Sequence, residues 1–194
     1  MKSKITTKII AGKYKGKFLE LPALDATRSS KSILKESFFN VLQFDIIDAV
    51  FIEAFGGSGS IGLEAISRGA KESYFCEIDR KSFKVLQSNC ESVDPSSCTT
   101  MYGDTFEKIP LMLEQLKNRD DEVILYIDPP FDFRDGMDEI YEKTFNLVRD
   151  IENENVVLVT FEHMTGLELP EELGKFKKFK NKKFGKSSLT YYHV

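Results

Sequence analysis

Two patterns of apolar and polar positions alternate along the middle of the chain. Short apolar runs predict buried strands, and longer stretches with apolar residues three or four positions apart predict helices. The predicted strands span residues 49–55, 73–78, 99–102, 123–127 and 156–161. The predicted helices span about 30–44, 60–68, 81–92, 106–118 and 137–151. Strands that alternate with helices indicate an α/β fold with a parallel sheet covered on both faces.

The two ends of the chain depart from this alternation. Residues 8–11 and 17–21, separated by a turn region with glycines at 12 and 16, predict a small β-hairpin. Residues 176–184 and 188–193 predict a second, antiparallel hairpin around Gly185. We therefore expect a mostly parallel, twisted sheet that ends in an antiparallel hairpin. The first hairpin is expected to be a small extension over residues 1–26, with the main domain over 27–194.

Length and composition fit one globular domain. A chain of 194 residues with 41% hydrophobic and 30% charged residues is long enough for one sizeable core and short for two. No apolar run reaches the length of a membrane span, and residues 1–5 lack the apolar segment of a signal peptide. Cys76, Cys90 and Cys98 show no CxxC spacing, so we expect reduced thiols in a cytoplasmic protein.

The net charge of −4 hides an asymmetry between the ends and the middle of the chain. Residues 1–19 carry six lysines and no acid, and residues 175–194 carry seven lysines and no acid. The residues between them hold 14 basic side chains against all 31 acidic ones. Two cationic ends that lie together could bind phosphate groups. They could equally be solvated lysines that protect exposed edge strands, and charge alone leaves both interpretations open.

A glycine-rich loop lies where the first predicted strand of the middle region meets the next helix. Gly57, Gly59 and Gly62 satisfy the pattern G-x-G-x-x-G, in which glycines allow a tight turn and close approach of a ligand to the backbone. No Lys-Ser/Thr pair follows Gly62, which excludes a P-loop. This loop follows the first of the strands that alternate with helices. That position predicts a nucleotide-like ligand at the loop.

Acidic residues follow the next two predicted strands. Glu77 ends the second strand, where a carboxylate can accept hydrogen bonds from both hydroxyls of a ribose. Asp79 is a nearby competitor, but capping the following helix is its simpler role. Asp104 follows the third strand and could accept a hydrogen bond from the amino group of an adenine, or it could cap a helix. Both roles stay open.

The most specific motif is Asp128-Pro129-Pro130-Phe131, directly after the apolar strand 123–127. An exocyclic amine on a base is a poor nucleophile, because its lone pair is delocalised into the ring. The Asp128 carboxylate and the Pro129 carbonyl can each accept one N–H and hold the nitrogen towards an electrophilic methyl group. Phe131 can stack on a flipped base. The motif therefore predicts methylation of a base amine from S-adenosylmethionine, with no metal.

With that chemistry, the glycine loop and the acids become candidate contacts of S-adenosylmethionine. The candidate cofactor-binding residues are Glu53, Phe55, Gly56, Gly57, Gly59, Glu77, Ile78, Asp104 and Thr105. The candidate catalytic residues are Asp128, Pro129, Pro130 and Phe131.

These motifs resemble the RsmD-like family of bacterial methyltransferases, and the resemblance spans nearly the whole chain. Residues 9–17 resemble that family's first hairpin, residues 53–62 its cofactor loop, 128–131 its catalytic motif, and 184–192 its closing hairpin. Arg28, Glu36, Phe39 and Asn40 match an arginine-led segment and its helix. The chain departs from the family pattern at Ser29-Ser30, Ile33, Glu53 and Gly56.

The resemblance implies a Rossmann-like class I methyltransferase fold. It also implies transfer of a methyl group to the N2 of a guanine in 16S ribosomal RNA, at a guanine-966-type site. The implied partner is the small ribosomal subunit or an assembly intermediate. We expect the protein to act as a monomer and to bind no membrane. The implied RNA contacts are Arg28, Lys13, Lys15 and Lys17.

Three other functions compete with this interpretation. An adenine-N6 DNA methyltransferase would use the same catalytic motif, but the chain offers little room for a DNA-recognition domain. A nucleotide- or RNA-binding module without catalysis would leave the Asp128 motif unexplained. A dehydrogenase would normally continue with a parallel strand and add a second substrate domain.

Overall fold

The computed structural model describes residues 5–22, 28–130 and 137–194, and side chains over 5–22, 32–130 and 139–194. The helices are α1 (Arg28–Val41), α2 (Ser60–Ser67), α3 (Arg80–Val93), α4 (Thr105–Leu116) and α5 (Met137–Arg149). The first strands are β1 (Thr6–Lys8), β2 (Phe18–Glu20), β3 (Val50–Glu53), β4 (Glu72–Glu77) and β5 (Cys98–Tyr102). The others are β6 (Val123–Ile127), β7 (Val156–Met164), β8 (Glu172–Leu173), β9 (Phe176–Phe184) and β10 (Ser187–His193).

Strands β3 to β10 form one sheet in the order β5-β4-β3-β6-β7-β10-β9-β8. Strands β3 to β7 run parallel, whereas β10 pairs antiparallel with both β7 and β9. Strands β1 and β2 form a separate antiparallel hairpin. This confirms the predicted mostly parallel sheet with an antiparallel end and a small amino-terminal hairpin.

The strand order places a crevice at the centre of the sheet. From β3 the chain moves outwards to β4 and β5, and then returns to β6 on the other side of β3. Helices that follow β3 and β6 therefore leave the sheet in opposite directions, and a gap opens at the carboxyl ends of these two strands. The glycine loop follows β3 and the Asp128 motif follows β6, so both motifs meet at this gap.

Both faces of the sheet are covered. Helices α4 and α5 pack on one face around Tyr141, Phe145 and Phe161, and α1 packs on the other around Phe38 and Tyr126. A third cluster joins α2 and α3 to Ile9 and Leu19 of the amino-terminal segment. Among the described residues, no helix is both long and apolar enough to cross a membrane.

The amino-terminal hairpin is shorter than predicted and begins earlier in the chain. Its first strand ends at Lys8, although the apolar run continues to Ala11. The backbone N–H groups of Ile10 and Ala11 donate instead to the buried carboxylate of Glu64 on α2, over 2.8 and 3.0 Å. These residues therefore leave the hairpin because a side chain of the main domain takes their hydrogen bonds.

The ends of α1 and β7 also differ from the prediction. Helix α1 ends at Val41 rather than near residue 44, and turns follow in which Leu42 and Ile46 remain buried. Strand β7 continues beyond Phe161 to Met164, because β10 pairs with its last three residues. The apolar pattern stops at Phe161, but the hydrogen-bonded strand does not.

Candidate active site

The glycine loop between β3 and α2 is held by backbone and carboxylate contacts. The N–H of Gly62 donates to Glu53 Oε2 over 2.8 Å, and the N–H of Gly56 donates to the carbonyl of Cys76 over 2.6 Å. A Cβ on Gly62 would lie 2.4 Å from the ring of Phe75, so helix and strand approach too closely for any side chain there. Gly57 has a φ of +50° and open space around it. The loop can therefore admit a ligand against its backbone at Gly57.

Glu77 at the end of β4 is fixed over the carboxyl edge of the sheet. Its Oε2 accepts the N–H of Gly57 over 2.7 Å, and its Oε1 accepts the N–H of Asp79 over 2.6 Å. Each carboxylate oxygen has two lone pairs, so Glu77 can still accept hydroxyl groups of a ligand. Asp79 caps α3 by accepting the N–H of Ser82 over 2.8 Å, which agrees with its simpler predicted role.

Asp104 and Thr105 connect β5 to α4 beside the same edge. Asp104 Oδ1 accepts the N–H of Phe106 over 2.9 Å and so caps α4. The Thr105 hydroxyl donates to the carbonyl of Ala54 over 2.6 Å and is buried. The capping role left open for Asp104 is thus observed, and Thr105 ties α4 to the residue after β3.

One cavity of about 540 Å³ joins the two predicted motifs. The predicted residues that line it are Glu53, Phe55, Gly56, Gly57, Glu77, Ile78, Asp104, Thr105, Asp128, Pro129 and Pro130. Gly59 does not line the cavity; with a φ of +74° it turns the loop into α2. Phe131 lies outside the described residues. Ile78 is 60% exposed, which leaves an apolar side chain at the cavity for a ligand to cover.

Among the buried polar side chains near the cavity, those of Lys35, Tyr126 and Glu162 were not predicted from the sequence. Lys35 and Glu162 line the cavity, and each is only 3% exposed. The hydroxyl of Tyr126 donates to Glu162 Oε2 over 2.6 Å. Burial, and next the Glu162 carboxylate, raise the pKa of Tyr126 well above its usual value, so this hydroxyl keeps its proton. In the sequence, Glu162 is distinguished only as the residue that follows the apolar run 156–161.

Lys35 links α1 to the amino-terminal hairpin. Its ammonium group lies 3.2 Å from Glu64 Oε2 and donates to the carbonyl of Lys8 over 3.1 Å. Burial lowers the pKa of Lys35, and the carboxylate of Glu64 opposes that shift. Thr7 of β1, Leu21 after β2 and Lys35 all line the cavity.

Helix α1 contacts one lysine-rich segment from each end of the chain. Lys35 of α1 contacts the carbonyl of Lys8, and Ser37 of α1 accepts from Lys182 of β9 over 3.0 Å. In the first hairpin, Lys13 and Lys15 are exposed and Lys17 is half-buried. Arg28 is the first residue of α1, and its side chain lies outside the described residues. Among the described side chains, no group of three or more metal-ligating residues occurs.

Comparison with known proteins identifies the family. The model of a family described as Conserved hypothetical protein 95 matches residues 7–193. The chain belongs to this family. Its membership confirms the resemblance to the RsmD-like family, because relatives named ribosomal RNA small subunit methyltransferase D match the same chain.

Two curated relatives and one solved structure illustrate the likeness. The ribosomal RNA small subunit methyltransferase D of Haemophilus influenzae is 32% identical over 127 residues, which cover 65% of this chain and 64% of that protein. The protein of the same name from Escherichia coli K12 is 29% identical over 163 residues, 82% of this chain and 77% of that protein. The structure titled putative methyltransferase yhhF from Escherichia coli has a TM-score of 0.76 at 27% identity and covers 97% of this chain and 98% of its own. The protein thus has the Rossmann-like class I methyltransferase fold.

Proposed function

We propose that this protein transfers a methyl group from S-adenosylmethionine to the exocyclic N2 of a guanine in the RNA of the small ribosomal subunit. The observation that carries the proposal is the placement of Asp128-Pro129-Pro130 in one cavity with the glycine loop and Glu77. A carboxylate for a base amine and a cradle for an adenosyl group therefore face the same space.

The residues of the glycine loop fit the cofactor. Gly57 leaves its backbone open to a ligand, Glu77 offers acceptors for ribose hydroxyls, and Ile78 offers an apolar surface for an adenine ring. When bound, S-adenosylmethionine supplies an electrophilic methyl group on a positively charged sulfur. Glu53 keeps the loop in place through Gly62, so the cradle is formed before a ligand arrives.

Asp128 and Pro129 hold the nucleophile in this mechanism. The Asp128 carboxylate accepts one N–H of the base amine and the Pro129 carbonyl accepts the other, which aims the nitrogen lone pair at the methyl group. The new N–C bond forms as the S–C bond breaks, and the electrons of that bond leave with sulfur. The carboxylate of Asp128 stabilises the positive charge that develops on nitrogen, and the surplus proton leaves to solvent along Asp128.

The names of the curated relatives and the lysines around α1 support an RNA substrate. Both relatives described above are named as methyltransferases of small-subunit ribosomal RNA. In the proposed complex, Lys13, Lys15 and Lys17 of the RNA-facing extension, residues 1–26, contact phosphates together with Arg28 and the lysines of β9. The assignment of guanine N2 and of a guanine-966-type site follows the family resemblance.

Labelled S-adenosylmethionine and small ribosomal subunits from a strain that lacks the enzyme test this function. We expect label at the N2 of one guanine, which digestion and mapping of the RNA locate. Label on an adenine N6 would contradict the guanine assignment, and binding of NAD without binding of S-adenosylmethionine would contradict the whole proposal.

The variant Asp128→Ala tests the catalytic role within the same assay. We expect methyl transfer to fall by roughly 100- to 1,000-fold, because one charged acceptor aimed at the reacting nitrogen is lost. Calorimetric titration should show unchanged affinity for S-adenosylmethionine. Asp120→Ala, which removes an exposed carboxylate before β6, serves as the control and should leave both quantities unchanged.

A further inference from the structure

We propose that Glu162 selects guanine by accepting the ring N–H that lies next to the methylated amine. This inference rests on the proposed function, since it assigns a second contact to the base that Asp128 holds. Glu162 thereby becomes a specificity-determining residue on β7, the strand beside the catalytic motif.

The register of the sheet places Glu162 beside Asp128. Ile127 of β6 pairs with Phe161 of β7, and the next residue on each parallel strand is Asp128 and Glu162. Both residues line the 540 Å³ cavity. The charges of both carboxylates raise the pKa of Tyr126, and also that of Tyr141, which places the two acids within electrostatic range of the same hydroxyl groups.

The Glu162 carboxylate is held in a fixed orientation. The Tyr126 hydroxyl donates to its Oε2 over 2.6 Å, and the Tyr126 side chain is fully buried between α1 and the sheet. On the other side, Leu189 of β10 pairs with Glu162 along the backbone. A carboxylate with one oxygen anchored and its backbone inside a sheet can discriminate between donors and acceptors, because it cannot turn away from a mismatched group.

The bases differ in the ring atom next to the exocyclic amine. In guanine the amine N2 lies beside N1, which carries a hydrogen and donates. In adenine and in cytosine the corresponding ring nitrogen carries a lone pair and only accepts. A second carboxylate beside Asp128 therefore attracts the guanine edge and repels the other two, which a single carboxylate cannot do.

Glu64 shows how a purely structural carboxylate differs in this fold. Its two oxygens accept from Ile10, Ala11 and Arg68 and lie in an ion pair with Lys35, and it does not line the cavity. Glu162 is buried to a similar extent, yet it faces the space into which the base amine must enter. The cavity-facing position is what assigns it to the substrate.

The analogue 2-aminopurine isolates this contact, because it retains the amine at position 2 but has no hydrogen on N1. We would place guanine or 2-aminopurine at the mapped nucleotide of small-subunit RNA and measure single-turnover methylation of each. The wild-type protein should prefer guanine by about 10- to 100-fold, the range that one such contact supplies. In Glu162→Gln the preference should fall below about threefold, since the amide can donate to the ring nitrogen of 2-aminopurine.

The ratio of the two rates is measured within one preparation, so a partly unfolded variant does not change it. Glu114→Gln, at an exposed position of α4, is the matched control and should keep the wild-type ratio. An unchanged preference in Glu162→Gln, or no preference in the wild-type protein, would overturn the inference. Failure of the wild-type protein to methylate any guanine would instead reject the proposed function itself.

Discussion

Glu64 and Glu162 are both buried carboxylates, but different groups surround them. Glu64 on α2 is surrounded by donors: two backbone N–H groups, the Arg68 guanidinium and the Lys35 ammonium. Glu162 on β7 is anchored by Tyr126 and faces the cavity. Both are almost fully buried, so burial alone does not distinguish a carboxylate that joins parts of the chain from one that lines a cavity.

The difference lies in where the desolvation cost of each charge is offset. Taking a carboxylate out of water costs several kcal/mol unless donors replace the lost water. Around Glu64 the donors come from the amino-terminal segment, α1 and α2, so its charge joins three parts of the fold. Glu162 instead lines the cavity in which we propose that the base binds. We expect substitutions at the first site to change stability and substitutions at the second to change reaction rates.

Glu64→Ala should give the largest effect on stability. The substitution leaves the buried ammonium of Lys35 without its carboxylate and the N–H groups of Ile10 and Ala11 without their acceptor. We therefore expect the free energy of unfolding to fall by about 3–5 kcal/mol. Urea unfolding followed by circular dichroism measures the change. The exposed pair at Glu114 and Lys117 provides the control, and Glu114→Ala should change stability by less than about 0.5 kcal/mol. Equal effects at both sites would remove the basis of the comparison.

Gly12→Ala tests how closely the amino-terminal segment sits on α2. Gly12 has a φ of +82°, and a Cβ there would lie 1.7 Å from the carbonyl oxygen of Ser67. We expect a loss of about 2–3 kcal/mol, because both the backbone angle and the space oppose a side chain. Gly16→Ala is matched in φ, at +86°, but has open space around it and should cost only about 1 kcal/mol. If the two variants unfold at the same urea concentration, the close contact with Ser67 does not exist in solution.

Tyr126→Phe tests the hydrogen bond that anchors Glu162 at the cavity. It removes the hydroxyl that anchors Glu162 and keeps the ring, so the loss of stability should be about 1–2 kcal/mol. The preference for guanine over 2-aminopurine should decrease as well, since Glu162 can then reorient. Tyr74→Phe, which removes a partly exposed hydroxyl bonded to Glu72, should leave that preference unchanged. A stability loss with an intact preference would make Tyr126 a packing residue alone.

The smallest effect is expected at His163, the next residue on β7 and hence on the opposite face from Glu162. Burial lowers the pKa of His163, whose ring nitrogens bond to Thr190 Oγ1 and to the carbonyl of Met164. The unfolded chain therefore binds a proton at higher pH than the folded one, and stability should decrease as pH falls from 7 to 5. The decrease should be smaller in His163→Gln. Urea titrations of the wild-type protein and the variant at both pH values would measure the difference. An identical decrease in stability in the two proteins would assign the pH dependence to other groups.

The fold was predictable because its signals are local. An apolar run of five residues between Glu122 and Asp128 predicted β6 with the bounds that the structure has, Val123–Ile127. The position of the glycine loop was predictable for the same reason, since strand, glycines and helix follow one another along the chain. Gly57 and Glu77, which a hydrogen bond joins, are separated along the chain only by α2 and β4.

The environments of Glu162 and Glu64 could not be predicted, because distant partners determine the burial of both side chains. Glu162 is a charged residue after an apolar run, and only pairing with β10 makes it part of a buried strand. Glu64 stands within a short helix, while its partners come from residues 10, 11 and 35 as well as from the next turn. No pattern within one element carries that information.

The position of β10 has a consequence for how the protein is made. Residues 187–193 form an interior strand between β7 and β9, although they are the last strand along the sequence. Until this strand leaves the ribosome, β7 and β9 present open edges, and the segment that carries Glu162 has no partner on that side. The sheet is therefore completed only after β10 has been synthesised, and a nascent chain that stops before Ser187 should be prone to aggregation.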